Sequence, residues 1–376
     1  MSSKALDNPF LLIGYQGKKY FCNRDAETAW LNENIENGRN SVLYSWRRLG
    51  KSAVIQCVLQ ELERKKKAET VYADLLATQS LEEAVLQIAR AITNRFGKTS
   101  ASAGSTFMKM LGKIGFDVSI DPMTGMPALS LGIRQGPKAE HSLHSLGEFL
   151  SDRNIQVVVA IDEFQQVARY DEQHGEAVFR AWAQQFPSIR FIFSGSHRQM
   201  MLSMFAEKNR PFYRSSQLLE LHPIEITVYK KFIKRHFKAK GKTIDDKVIY
   251  EIYQWSRGQT YCIQLLCNRL YARHDKVEQK HLAPVVNDVL LQENNVFSNY
   301  FSLLTKTQWN VLRAIAKEEP LKNPLSKELL MNHQLGAASS VSSALSQLQN
   351  KELVIRDGEY YLVHDVLFAR WLQSRR

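Results

Sequence analysis

Two short stretches of this 376-residue chain combine residue types and spacings that could do chemistry. In the first, residues 41–55, an apolar run at 42–44 predicts a buried strand and residues 45–50 predict a turn. Lys51 and Ser52 then begin a helix with apolar periodicity. Strand, turn, Gly-Lys-Ser and helix form the pattern of a phosphate-binding loop. Backbone N–H groups of such a turn and helix N-terminus converge on anionic oxygens.

The loop predicts ATP or ADP and Mg²⁺ as ligands. Lys51 would reach the β- and γ-phosphates, and the Ser52 hydroxyl would hold Mg²⁺. The expected nucleotide-binding residues of the loop are Arg47, Arg48, Leu49, Gly50, Lys51, Ser52 and Ala53. The full pattern has glycine at the position of Ser45, so the loop predicts nucleotide binding with slow hydrolysis. The alternative is a chance strand–turn–helix that contains Gly-Lys-Ser.

The second stretch is an apolar run, Val157–Ile161, that ends in Asp162 and Glu163. Ligands of parallel sheets bind at the carboxyl ends of the strands, where these two carboxylates would lie. Asp162 would hold Mg²⁺ through water, and Glu163 would orient or polarise the attacking water. Alone, the pair could equally be capping carboxylates. Its position about 110 residues after Lys51, in an alternation of strands and helices, favours one shared metal–triphosphate site.

The elements around these stretches predict a parallel sheet with helices on both faces. A strand expected at residues 70–75 lies between the two motifs in sequence. A strand inserted between the loop strand and the carboxylate strand resembles the additional-strand class of P-loop ATPases. In that class the next strand carries a polar sensor of the γ-phosphate, for which Ser194, Ser196 and His197 are candidates. Ser196 could instead cap the helix that follows.

Two arginines after the sensor strand are candidates for contacting a γ-phosphate. Arg198 follows the strand at residues 191–193, and Arg214 precedes the last expected core strand. Arg214 could act as an arginine finger within its own chain or towards a neighbour. A surface arginine with a solvated head is the alternative for each.

The chain is expected to divide into three parts. Residues 1–223 would form the α/β core, with an inserted β-hairpin near 110–135. Residues 224–298 read as helix throughout and would form a lid. Residues 299–376 combine three helices with two short strands, which is the order of a winged helix. The fold prediction is therefore an additional-strand P-loop core with a helical lid and a C-terminal winged helix.

The composition favours acidic partners. Fifty Lys and Arg against 38 Asp and Glu give a net charge of +12, with a dense run at residues 230–242. DNA could bind this basic run or the winged helix, although a solvated helix face is the alternative for the run. The expected recognition helix at 338–350 has no Lys or Arg, which tempers the DNA interpretation. Four scattered cysteines, with no apolar run of 18 residues, predict a cytoplasmic protein that does not enter the membrane.

Over nearly its full length the chain resembles the archaeal-type P-loop ATPases of the STAND clade and their bacterial relatives. The matching segments are Phe21–Arg24, Trp46–Ser52, Ile161–Gln165, Ser194–Ser196 and Gly258–Gln264, followed by the winged helix. The resemblance implies that Arg24 contributes to the nucleotide site, although the following helix could simply pack on the sheet. The chain departs from the family pattern at Ser45, Trp46 and Thr260.

Three functions remain open from the sequence. The first is a slow, Mg²⁺-dependent ATPase whose nucleotide state moves the lid and the winged helix. The second is a nucleotide-gated switch or adaptor with negligible turnover, working with a protein partner or as a homo-oligomer. The third is a DNA-binding protein similar to the origin-recognition initiators.

Overall fold

A computed structural model describes residues 7–97, 116–120, 127–131, 139–170 and 174–375. The chain divides into two compact units. One unit is Gly14–His222, and the other combines Met1–Ile13 with Pro223–Arg376. The two units are described separately below.

The first unit is built on a five-stranded parallel sheet. Its strands are β1 (Ser41–Tyr44), β2 (Glu69–Asp74), β5 (Val157–Asp162), β6 (Ile189–Gly195) and β7 (Gln217–Glu220). Their order across the sheet is β2-β5-β6-β1-β7. All six residues of β5 are buried, because helices cover both faces of a strand near the middle of such a sheet.

Helices flank the sheet and bury one hydrophobic cluster on each face. They are α1 (Asp25–Glu36), α2 (Lys51–Arg64), α3 (Leu81–Phe96), α4 (Ala139–Ser151), α5 (Gly175–Gln185) and α6 (Arg198–Ala206). Alternate residues of β5 point to opposite faces. Val157, Val159 and Ile161 pack in the cluster with α3, while Val158 and Ala160 pack in the cluster with α1 and α2.

The strand order corrects one expectation. The strand inserted between the loop strand and the carboxylate strand is β6, which pairs with β1 on one side and β5 on the other. The earlier strand β2, expected at residues 70–75, lies at the outer edge beside β5. Order along the chain therefore does not give order across the sheet, because each parallel connection can cross over several strands.

The inserted hairpin is present where its strands are described. Strand β3 (Phe116–Ile120) pairs antiparallel with β4 (Pro127–Leu131). The remainder of the expected insertion, at residues 110–115, 121–126 and 132–135, lies outside the described residues.

The second unit begins with a group of helices and a short two-stranded sheet. Its elements are α7 (Ile226–Lys238), β8 (Thr243–Ile244), α8 (Asp246–Trp255), α9 (Thr260–Arg273), β9 (Lys276–Val277), α10 (Leu282–Gln292) and α11 (Asn294–Leu303). The sequence predicts one helix over residues 280–297, but the helix is divided at Glu293 between α10 and α11. The N-terminal segment joins this unit through Phe10, whose buried ring packs against Phe237 and Tyr271.

The rest of this unit has the winged-helix order that the sequence predicts. It contains α12 (Lys306–Lys317), α13 (Lys327–Asn332), α14 (Ala338–Asn350) and the hairpin of β10 (Val354–Asp357) with β11 (Tyr360–Val363). A further helix not expected from the sequence, α15 (Val366–Ser374), buries Leu367, Phe368 and Leu372. Among the described residues, no helix is long and apolar enough to cross a membrane.

Candidate functional site

The loop between β1 and α2 has the backbone that a phosphate-binding turn requires. Gly50 immediately precedes α2 with a left-handed φ of 95°, and Arg48 is also left-handed with a φ of 65°. Glycine adopts this conformation without the steric cost that a side chain adds. The first N–H groups of α2 have no partners within the helix, so the turn leaves donors available for an anion.

Lys51 is buried beneath the loop and is 5% exposed. Its Nζ atom lies 3.2 Å from Ser45 Oγ and 3.4 Å from the carbonyl oxygen of Trp46. Burial lowers the pKa of the Lys51 amine, while the nearby charges of Glu163 and Asp162 act in the opposite direction. Ser45 therefore takes part in the site, because its hydroxyl occupies one of the three ammonium donors.

The loop and the carboxylate strand meet at Asp162. Ser52 Oγ donates to Asp162 Oδ2 at 2.6 Å, across 110 residues of sequence. The hydroxyl of Tyr72 in β2 donates to the same oxygen at 2.6 Å. The backbone N–H of Glu163 donates to Asp162 Oδ1 at 3.0 Å. The two motifs thus form one site, at the carboxyl edge of the sheet.

Glu163 is held by two neighbours. Ser196 Oγ donates to Glu163 Oε2 at 2.7 Å, and the side-chain amide of Gln165 donates to the same oxygen. Ser196 does not cap the next helix, since His197 Nδ1 accepts from the backbone N–H of Met200 at 3.2 Å. Of the two roles left open for Ser196, the structure excludes the cap and brings its hydroxyl to Glu163.

The donor chemistry at this edge fits Mg²⁺. Ser52 Oγ is a hard oxygen atom that could coordinate Mg²⁺ beside phosphate oxygens and water, and the Asp162 carboxylate could accept from one of those waters. Ser52 and Asp162 could hold the ion with few protein ligands, as is usual for Mg²⁺ with nucleotide. No group of three or more His, Cys, Asp or Glu side chains suited to a metal occurs among the described residues.

Arg24 supports the loop from beneath. Arg24 is 4% exposed, and its guanidinium donates to the carbonyl oxygen of Leu49 at 3.3 Å and contacts Glu27 at 2.7 Å. Arg24 itself has a left-handed φ of 73° where α1 begins. These contacts place Arg24 against the loop backbone, where it can hold the turn.

The other predicted loop residues differ in exposure. Leu49 is buried, Ala53 is half-buried, and Arg47 and Arg48 are exposed. Leu49 packs in the hydrophobic cluster with α1 and α2, which anchors the turn to the core. Exposed arginines beside a phosphate-binding turn can still reach a bound nucleotide through their long side chains.

The two candidate finger arginines are in different settings. Arg198 forms a paired contact with Glu220, at 2.6 Å from Nε and 3.1 Å from Nη2, and lies 5.7 Å over the ring of Trp46. Arg214 is exposed and lies 5.2 Å over the ring of Tyr213. Within the described part of the chain, no contact joins Arg214 to Asp162, so a finger role within this chain has no support from the geometry.

Three site residues were not identified from the sequence as contributors: Tyr72, Asp74 and Gln165. Asp74 ends β2 opposite Asp162. Although Asp74 is exposed, partial desolvation raises its pKa, and the charges of Asp162 and Glu163 act in the same direction. The argument that found Asp162 would have found Asp74 too, because both acids end a strand. Tyr72 and Gln165 give no such signal, since their roles depend on side-chain direction.

The basic run is partly neutralised by acids within its own unit. Its members are Lys230, Lys231, Lys234, Arg235, Lys238, Lys240 and Lys242. Lys230 and Lys234 both contact Asp246, and Lys242 contacts Asp275 at 3.0 Å. In the winged helix, the exposed face of α14 is rich in serine and carries no basic residue.

Comparisons with known proteins agree with this architecture. Residues 21–266 match the family model described as "ATPase domain predominantly from Archaea", and residues 295–374 match a "probable winged helix domain". The first match covers more than half of the chain. No match was found among curated proteins.

Three archaeal structures illustrate the shared fold. The Walker-type ATPase paby2304 of Pyrococcus abyssi is 19% identical with a TM-score of 0.67, over 97% of this chain and 99% of that one. The Aeropyrum pernix ORC2 protein is 13% identical with a TM-score of 0.57, over 93% and 90%. The ORC1 protein of the same organism, solved with DNA, is 16% identical with a TM-score of 0.53, over 94% and 92%. The chain therefore belongs to the family of ATPase domains found predominantly in Archaea, and it is an ATP-binding P-loop ATPase with a C-terminal winged helix.

Proposed function

We propose that this protein is a slow, Mg²⁺-dependent ATPase whose nucleotide state controls its helical and winged-helix parts. The observation that carries the proposal is the 2.6 Å contact between Ser52 Oγ and Asp162 Oδ2. It brings the end of the phosphate-binding loop and the strand-end acids to one point. A triphosphate on the loop would place its terminal phosphates beside these oxygens.

The proposed roles follow from this placement. The loop amides from Arg47 to Ala53 would bind the phosphates, and the Lys51 amine would neutralise their charge. Ser52 and Asp162 would hold Mg²⁺, which, when bound, offsets the charge that develops on the phosphate oxygens. Glu163 would orient the attacking water, and Ser196 would sense the γ-phosphate by exchanging its contact with Glu163 for a phosphate oxygen.

Two contacts support slow turnover. The Lys51 amine already donates to Ser45 and to the Trp46 carbonyl oxygen, so part of its donor capacity is used within the loop. Glu163 Oε2 already accepts from Ser196 and Gln165, so that oxygen must lose a donor before it can take a proton from water. If these contacts persist with nucleotide bound, the same geometry favours the alternative of a switch with negligible turnover.

We also propose three working parts: residues 1–223 as the core with its hairpin near 110–135, residues 224–298 as a lid and residues 299–376 as the winged helix. The segment that carries Phe10 is the exception within the first part, because it packs on the lid. One contact supports coupling between the last two. Arg257, beside the lid segment Gly258–Gln264, pairs with the buried carboxylate of Glu319 and donates to the carbonyl oxygen of Val363 at 2.7 Å. A lid that moves with nucleotide would move the winged helix with it.

DNA binding is the second candidate function, and one observation favours it. Four cations of the basic run are exposed and, within the described residues, lie outside the ion pairs made by Lys230, Lys234 and Lys242; they are Lys231, Arg235, Lys238 and Lys240. The ORC1 relative was solved in complex with DNA. Neutralised phosphates give DNA affinity its salt dependence, so these cations would contribute more than the serine-rich face of α14.

Phosphate release tests the enzymatic proposal. The measurement compares wild type with Lys51→Ala and Glu163→Gln, each with Mg²⁺ and with EDTA. We expect release only with Mg²⁺, loss of at least about tenfold in both variants, and retained nucleotide binding in Glu163→Gln. Equal release by all three proteins would refute the proposal. Tight binding without release, even with partners added, would select the switch.

Native mass spectrometry with and without ATP tests the proposed partners. It reports bound nucleotide, homo-oligomers and any protein partner that co-purifies. A gel-shift with DNA over a range of salt tests the DNA candidate, with Lys231→Ala/Lys238→Ala as the variant. Binding that is absent, or that does not weaken with salt, would remove DNA from the account.

A further inference from the structure

Three hydrogen-bond donors of the protein itself already contact the carboxylate of Asp162. Oδ2 accepts from Ser52 Oγ and from Tyr72 Oη, both at 2.6 Å. Oδ1 accepts from the Glu163 N–H at 3.0 Å. A carboxylate offers about four lone-pair sites, two on each oxygen. The carboxylate therefore has roughly one site left, on Oδ1.

Tyr72 is the one of these donors that the phosphate-binding motifs do not contain. It lies in β2, and its ring packs against the hydrophobic cluster shared with α1 and α2. Packing fixes the direction of the ring, so the hydroxyl is aimed at Asp162 before any cation arrives. An O–H···O⁻ contact of this length is charge-assisted and is stronger than a neutral hydrogen bond.

We infer that Tyr72 is a positioning residue for the magnesium site, holding Asp162 so that it meets the cation through water and not directly. The inference rests on the proposed function. With Oδ2 filled by Ser52 and Tyr72, the carboxylate retains one acceptor site for a water of the hydrated cation. Mg²⁺ loses its waters reluctantly and commonly keeps several of them when it binds with phosphates. A carboxylate with one free acceptor site can bind one of these retained waters without displacing it.

The inference separates binding of the cation from binding of the nucleotide. Groups that orient a metal ligand commonly change metal affinity by about 10–100-fold when they are removed. Tyr72 makes no described contact with the loop residues that would hold the phosphates, other than Ser52. Loss of the hydroxyl should weaken the contribution of Mg²⁺ and leave metal-free affinity for ADP unchanged.

The test is equilibrium binding of a fluorescent ADP analogue to full-length protein, titrated with Mg²⁺ and repeated in EDTA. The variants are Tyr72→Phe and, as a matched control, Tyr170→Phe. The Tyr170 hydroxyl makes a contact of the same length, 2.6 Å, but its partner is the buried hydroxyl of Thr78 and not a carboxylate. We expect the Mg²⁺ midpoint of Tyr72→Phe to rise about tenfold, with unchanged affinity in EDTA. The control should keep the wild-type midpoint.

The outcomes distinguish this inference from the proposed function. If wild type binds the analogue equally with and without Mg²⁺, the cation does not contribute to ADP binding and the inference fails, whereas the magnesium dependence of phosphate release is decided by the release assay. If wild type depends on Mg²⁺ and Tyr72→Phe has the same midpoint, the inference alone is refuted. Asp162→Ala, which removes both acceptor oxygens, provides a second arm. Adding Tyr72→Phe to it should leave the midpoint unchanged, and a further shift of about tenfold would show that Tyr72 acts elsewhere.

Discussion

Gly195→Ala is expected to disturb both halves of the site at once. Gly195 ends β6, and its carbonyl oxygen accepts from the N–H of Ser45 at 3.4 Å. A Cβ atom there would lie 2.4 Å from Gln165 Oε1 and 2.4 Å from Met201 Sδ. Gln165 is 1% exposed and Met201 is 0% exposed, so neither side chain can swing into solvent.

The cost follows from this overlap. An additional methyl group in a well-packed interior costs about 1–3 kcal/mol of the free energy of unfolding. In a folded unit of this size each kcal/mol corresponds to roughly 2–4 °C, so the melting temperature should fall by roughly 2–12 °C. Gln165 is displaced in the same step, and Glu163 loses one of its two donors. We therefore expect Gly195→Ala to differ from wild type both in its free energy of unfolding and in its rate of phosphate release per folded molecule.

Urea denaturation and steady-state phosphate release measure the two effects. Gly175→Ala is the comparison, because it lies at the start of α5 and its Cβ would meet Val167 at 3.2 Å, a tight contact but a much smaller overlap than at Gly195. Alanine is favoured over glycine in helices by up to about 1 kcal/mol, which offsets part of this contact, so the variant should lose less stability than Gly195→Ala. A Gly195→Ala protein with the stability and turnover of wild type would refute the packing argument.

Three further predictions concern the loop, the acid edge and the second unit. Ser45→Gly removes the hydroxyl that accepts from Lys51, so the activation free energy should fall by roughly 1 kcal/mol. Phosphate release under saturating ATP should therefore rise several-fold. Folding raises the pKa of Asp74, so the charged carboxylate lowers the free energy of unfolding. This loss is complete at pH values above the pKa of Asp74 in the folded protein. Asp74→Asn should therefore raise the melting temperature of nucleotide-free protein at pH 7 by roughly 1–2 °C, and the gain should disappear as the pH falls towards the pKa of an unfolded Asp. Glu319→Gln leaves the Arg257 charge without its buried partner, so urea denaturation should show a loss of about 3–5 kcal/mol.

Each of these predictions has a contrary result. Slower release by Ser45→Gly would show that the serine hydroxyl assists turnover. A gain for Asp74→Asn that stays constant down to pH 4 would remove the charge explanation. For the ion pair, the exposed pair Arg273–Asp288 supplies the control, since Asp288→Asn should cost below about 1 kcal/mol. Equal losses for the two variants would show that burial does not set the cost.

The local features of the site could be predicted from the sequence. The loop from Ser45 to Ser52, the acids Asp162 and Glu163, and the alternation of strands and helices all depend on residues that are close in the chain. The partner of Ser196 was open between a cap and the site, and the structure decides it because His197 takes the cap.

Features that depend on strand order and side-chain direction could not be predicted. Placing β6 between β1 and β5 requires knowing how the chain crosses over the sheet, and the apolar pattern of a buried strand does not record this. The position of Tyr72 beside Asp162 depends on that order and on the register of β2 with β5. The division at Glu293 and the helix α15 were missed because short apolar segments do not distinguish their packing partners.

The most direct test of the central claim is a crystal structure of Glu163→Gln with ATP and Mn²⁺, in which anomalous scattering locates the metal. We predict that the triphosphate lies on the amides around Gly50 and that the metal lies within coordination distance of Ser52 Oγ. Asp162 should lie one water away from the metal, with Tyr72 still donating to its Oδ2 atom. A triphosphate elsewhere on the protein, or a metal remote from both Ser52 and Asp162, would contradict the account.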